Sequence, residues 1–219
     1  MGSATAVKLK LHRRNVEIDG ERFTVLSLRP TTTARFAATE YHEALQILCD
    51  VDGAELLGRL SWAMAFQSRS HTFVLIDLPL IVKDPFDVCP PAPILIVNSD
   101  LGSPSAAAIE ALVSKLPLTD DSEGSVRLMT AGFDRALADP DRFWTQQRAE
   151  DPDLKQHVNA RWVERVSGAI VLAAPPPVLR QWAVPVAELA SRGPLPPGWS
   201  PADEQKWTGE VKVLTGSLA

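Results

Sequence analysis

HTFVLIDLPLIV (71–82), KDPFDVCPPA (83–92), PILIVNSD (93–100) and LGSPSAAAIEALVSKL (101–116) run consecutively, and their reading decides the fold. Phe73–Ile76 and Ile94–Val97 are apolar at every position. A strand with one wet face alternates, whereas an unbroken apolar run suits a strand covered on both faces. Four such residues would also fit a buried helix. The β-branched content and the flanking Pro79, Pro91 and Pro93 decide for strand. Beyond Ala106 the period changes: Ile109, Leu112, Val113 and Leu116 fall at helical spacing, behind the helix formers Ala106, Ala107 and Ala108. Ser103 is the expected N-cap, with Pro104 in the first helical position. Strand, polar loop and helix make the unit of an α/β layer. The apolar run Ile170–Leu172 predicts a third strand adjacent to the first two.

On the N-terminal side, Val7–Leu11 alternates as a one-faced strand. Residues 15–18 and 22–28 flank Asp19-Gly20, the preferred pair for a tight hairpin turn. Residues 35–49 and 53–67 are read as two helices joined at Asp50–Gly53, a helical hairpin lying on the sheet. On the C-terminal side the pattern predicts a strand at 126–129 and a helix over 133–148 interrupted at Asp139-Pro140. It then predicts a helix over 151–167 through Trp162 and Val166, a strand at 169–173, and a helix over 178–191 containing Pro185. Residues 210–214 alternate and read as a last, edge strand. The expected fold is therefore α/β or α+β. A mixed sheet carries packed helices, with an N-terminal β-hairpin and a C-terminal Pro/Trp-rich arm. The expected organisation is a single globular domain over 1–192, opened by the hairpin unit 1–30, and an arm over 193–219.

At 219 residues the chain is long enough to bury a full core. It contains no apolar run of membrane-spanning length, and its first residues lack the apolar centre of a signal peptide. Cys49 and Cys89 are the only cysteines. The apolar neighbours of Cys49 point to a buried thiol rather than a bridge, which fits a reducing, cytoplasmic setting. The formal net charge is −5. It is unevenly spread. Residues 1–35 carry seven Lys and Arg against three Asp and Glu, +4, which leaves −9 for the rest. A basic end seeks an acidic surface. The expected surface is protein, in the same chain, a second copy or a partner, because no aromatic side chains interleave for base stacking.

For a ligand, the best candidates are Asn98, Ser99, Asp100, Ser103 and Ser105, at the loop where strand meets helix, with Thr130 and Asp134 expected nearby at another strand end. Open α/β sheets bind ligands outside the carboxyl ends of their strands, and free N–H groups at a helix start hold anions. Asp100 opposes an anion, and the loop lacks the glycines of GxGxxG and the lysine of a P-loop. Helix capping by the same residues is the competing reading. Asp77, ahead of Pro79, is read as an exposed bend. Glu40, His42 and Glu43 share a segment without a second His at metal-ligand spacing. There is no GxSxG and no recognisable Cys-His pattern. Hence no catalytic residue, metal or cofactor is assigned. Arg13, Arg14, Trp199 and Trp207 are the candidate interface residues, since tryptophan and arginine anchor protein contacts. The sequence is read first as a non-catalytic subunit of a protein assembly, contacting a protein partner or a second copy through the basic hairpin and the Pro/Trp arm. The alternative is an enzyme of small-molecule metabolism with an anion pocket at 98–105.

Overall fold

The computed structural model describes residues 8–18, 20–41, 44–84, 87, 89–118, 122–150, 162–191 and 209–211. Its centre is a seven-stranded mixed sheet. The strands are β1 (Lys8–Ile18), β2 (Glu21–Ser27), β5 (Thr72–Ile76), β6 (Ile94–Asn98), β7 (Ser125–Met129), β8 (Trp162–Val166) and β9 (Ala169–Ala174), in the order β7-β1-β2-β5-β6-β9-β8. β2 and β5 are parallel, as are β6 and β9. The other four pairings are antiparallel. A second, three-stranded sheet is formed by β3 (Phe36–Tyr41), β4 (Ala44–Cys49) and β10 (Gly209–Val211), with β4 in the middle. The three unbroken apolar runs are adjacent, as their composition requires: β5, β6 and β9 are buried along their whole length.

Pleating divides these side chains between two cores. On one face Val74, Ile76, Ile94, Ile96, Ile170 and Leu172 pack beneath helix α1 (Val51–Met64), helix α5 (Pro176–Ser191) and the small sheet. On the other face Phe73, Leu75, Leu95, Val97 and Val171 meet Ile109 and Leu112 of helix α2 (Ala106–Val113). Two short helices, α3 (Phe133–Ala138) and α4 (Pro140–Glu150), extend the first layer around Trp62 and Phe133. α1 and α5 approach closely at Gly58, where a Cβ would lie 2.6 Å from the Ala183 carbonyl oxygen. Pro185 sits inside α5.

Four expectations are corrected. The expected helix over 35–49 is not formed where the chain is described: Phe36–Tyr41 and Ala44–Cys49 are strands. They form the β3–β4 hairpin, with Phe36 opposite Cys49 and Ala37 opposite Leu48. Both of its faces are covered, since Phe36, Ala37, Ala38, Ile47, Leu48 and Cys49 are all buried, so no alternation marks it as a strand pair. Asp50 is not a turn between helices but the N-cap of α1: its Oδ1 accepts from Gly53 N at 2.7 Å, and its Oδ2 accepts from Arg35 N at 3.1 Å. Trp162 and Val166 are not on a helix. They end the edge strand β8, which turns through Ser167 and Gly168 into β9, both turn residues at positive φ as a tight hairpin requires. Residues 151–161, the rest of that expected helix, lie outside the described residues. Finally, α2 is capped by Ser105, whose Oγ accepts from Ala108 N at 3.1 Å, and not by Ser103. Among the described residues no helix is long and apolar enough to cross a membrane.

Candidate functional site

The strand-to-helix loop of the sequence reading turns its polar atoms inward. Asn98 is 1 % exposed. Its Oδ1 accepts from Asp100 N at 3.1 Å and its Nδ2 donates to the Met64 carbonyl at 3.3 Å, so both ends of the amide are used. Ser105 caps α2, Ser103 and Asp100 are exposed, and Ser99 is half-buried. Thr130 is buried, while Asp134 forms an ion pair with Arg59 at 2.8 Å. β6 and β7 are separated by β1, β2 and β5 and run antiparallel. Residues 98–105 and Thr130 therefore do not share a strand end. What connects them is the second half of α1, through Met64 to Asn98, Trp62 to the Ala131 carbonyl, and Arg59 to Asp134. Asp77 is likewise structural. Its Oδ1 accepts from Leu78 N, and its Oδ2 reaches across to Leu118 N at 2.9 Å.

The basic N-terminal strand organises two surfaces, one on each face of the sheet. Consecutive strand residues point to opposite faces, so Arg13 and Arg14, expected to act together, are separated. Arg14 shares its face with Lys10 and His12. Pairing with β7 then sets Lys10 directly opposite Arg127. Both side chains are exposed, and neither forms an ion pair with another described residue. Arg14 Nη1 donates to Ser27 Oγ at 2.5 Å. His12 is held below its ordinary imidazole pKa of 6.5, first by burial, then by the positive charges of Arg14, Arg29 and Lys10. This face of β1 and β7 is thus a cluster of like charges. Directly opposed like charges on a ladder are destabilising, so the fold holds it at a cost. Beyond β7 no described strand pairs, so the cluster lies at a sheet edge.

Arg13 emerges on the other face, in an open groove of about 320 Å³ between the sheet and the end of α1. Leu26, Ala63 and Leu128 supply apolar lining, Thr24 and Thr72 polar lining, and Arg13 and Arg69 the charge. Arg127 and Met129 close it at the β7 edge. Phe66, 55 % exposed, stands at one side with the Arg180 guanidinium 5.7 Å from its ring centre. Among the described residues no Asp or Glu lines the groove. Arg13 Nε is buried and has no hydrogen-bond partner among the described residues.

Of the residues named from sequence, Arg13 and Arg14 fall in these surfaces, and Trp199 and Trp207 lie outside the described residues. The reading missed Lys10, Arg69 and Arg127 as site residues. Lys10, His12 and Arg14 recur at every second position of a strand, a stripe legible in the sequence. The joining of Arg127 to it depends on a pairing between distant segments. No family model matches the chain, and no curated protein or solved structure matches it.

Proposed function

We propose that the protein is a non-catalytic subunit of a protein assembly, and that the β1–β7 face bearing Lys10, His12, Arg14 and Arg127 contacts an acidic segment of its partner. The observation that carries this reading is the Lys10–Arg127 pair. Two cations directly opposed on a ladder cost stability in the free protein, and an anionic partner turns that cost into attraction. His12 adds support: after burial, the largest cause, the neighbouring charges of Arg14, Arg29 and Lys10 also hold its pKa down. The outer edge of β7 offers backbone hydrogen bonds to an extended partner as well. A protein is favoured over nucleic acid because the row lacks the interleaved aromatic side chains on which bases stack. A cytoplasmic setting goes with this reading, and Cys49 and Cys89 are not joined in a disulfide. The alternative of an enzyme with an anion pocket at 98–105 has less support, since Asn98 and Ser105 already spend their side chains on the backbone.

The test is titration of the full chain with a glutamate-rich peptide and, separately, with a DNA duplex, following the His12 ring by NMR. The peptide is expected to bind in low salt and to raise the His12 pKa toward its ordinary value, and Arg127→Glu is expected to abolish both effects. Peptide that leaves His12 unmoved, or duplex bound more tightly than peptide, refutes the proposal.

A further inference from the structure

We infer that the groove on the opposite face of β1 is a binding site for a small organic anion, one with a carboxylate or phosphate head and an apolar body. The inference is independent of the protein contact proposed above. Three observations converge on it. Three arginines line the groove, Arg13 and Arg69 within it and Arg127 at its β7 edge, and no carboxylate does among the described residues. Glu123, whose N–H bonds the Arg13 carbonyl, turns its own carboxylate onto Asn15 and stays out of the lining.

The second observation is Arg13 Nε. A buried donor without a partner is rare in folded proteins, because it forfeits the hydrogen bond it had in water. Nε itself is sealed from the groove, but its burial shows the Arg13 guanidinium held partly out of water; an oxyanion against the part of Arg13 that lines the groove offsets that lost hydration, and Arg69 completes the clamp from the segment after α1. The third observation is the apolar part. Leu26, Ala63 and Leu128 lie next to these cations, and Phe66 stays more than half exposed beside them. A bare phosphate or sulfate uses none of that surface, and an apolar ligand uses none of the charge. A volume of about 320 Å³ is at the small end of the range for small-molecule sites, roughly 300–1,000 Å³, so the body is short.

The experiment records amide NMR shifts of the full-length protein against four probes: hexanoate, hexyl phosphate, hexanol and inorganic phosphate. Hexanoate or hexyl phosphate is expected to shift the amides of Leu26, Ala63 and Leu128 in a saturable way, and the tighter of the two identifies the head group. Hexanol and inorganic phosphate are each expected to bind at least about tenfold more weakly, since each lacks one half of the recognition. Arg13→Gln and Arg69→Gln are each expected to weaken the better probe about tenfold or more. Arg69 is exposed, so its variant decides the matter even if Arg13→Gln fails to fold. Hexanol binding as well as hexanoate, inorganic phosphate binding as well as hexyl phosphate, or shifts confined to Lys10 and His12 would each overturn the inference. So would a full chain that binds none of the four, whatever else fills the groove.

Discussion

Lys10→Glu separates the stability of the fold from the use of its basic face. In the native ladder Lys10 stands directly opposite Arg127, both exposed. A directly opposed pair is worth about 0.2–1 kcal/mol, unfavourable for like charges and favourable for opposite ones. Replacing the lysine by glutamate changes the sign of the interaction. Solvent screening keeps the total modest, so the variant should be more stable by about 0.5–1 kcal/mol. For a chain of this size that corresponds to a melting temperature higher by about 1–3 °C. Salt provides an internal control, because the Debye length falls from about 30 Å at 0.01 M to about 10 Å at 0.1 M. Raising salt over that range should stabilise the wild-type protein by relieving its repulsion, and should stabilise the variant less or not at all. The His12 pKa should rise in the variant, since one of the charges holding it down is removed and replaced by its opposite. Thermal denaturation at several salt concentrations measures the first two effects and NMR titration the third. A variant that melts lower than wild type, with an unchanged salt slope, would refute the view that this face is held under electrostatic strain.

His12 also sets a pH dependence. Its folded-state pKa is depressed, so the folded protein binds fewer protons there than the unfolded chain, and stability falls as pH drops from about 6.5 through the folded value. The stability difference between wild type and His12→Gln, measured by denaturant unfolding, should be constant above pH 7 and should move against the wild type below pH 6.5. Gly58→Ala should destabilise by up to about 2 kcal/mol: crowding the Ala183 carbonyl and the Ala187 Cβ costs about 1–3, and the helix-propensity gain over glycine returns only about 1. A stabilised Gly58→Ala protein would show that α1 and α5 are less tightly apposed than described. Cys49, whose pKa burial and then Asp50 push up to about 12, should resist a thiol reagent at pH 8 until the protein unfolds. Cys89 is half-exposed and should label in the folded state. Two rapidly reacting thiols in the native protein would contradict the burial of Cys49.

The sheet core was legible wherever burial on both faces wrote the same message at every position, as in β5, β6 and β9. Where local signals competed, tertiary pairing decided. The segment TEYHEALQ has good helix formers, yet β4 is held between β3 and β10, and Phe36 also accepts from Val82 N at 2.7 Å. Leu154, Val158, Trp162 and Val166 recur at helical spacing, but Ser167-Gly168 is a hairpin turn, and at Trp162–Val166 that turn prevails over the periodicity. The basic stripe on β1 was half readable. Period-two spacing puts Lys10, His12 and Arg14 on one face, but nothing local to residue 127 announces that Arg127 will stand beside them. The 98–105 loop illustrates the opposite error. Its polar residues looked available, and the fold spends Asn98 and Ser105 on its own backbone.

The opposed pair of Lys10 and Arg127 has a bearing on cellular upkeep. The two residues come from distant parts of the chain and meet only once β7 has docked on β1, so the repulsion belongs to the native state and not to the unfolded one. Anything acidic that binds there recognises the folded protein alone and, by mass action, shifts the folding equilibrium toward it. If the proposed contact holds, a copy without its partner would keep the penalty, open more often, and meet proteases more often in that state. Under that proposal, strain at the β1–β7 face would tie the lifetime of each copy to whether it has found its partner, and would give an assembly a way to correct its own stoichiometry.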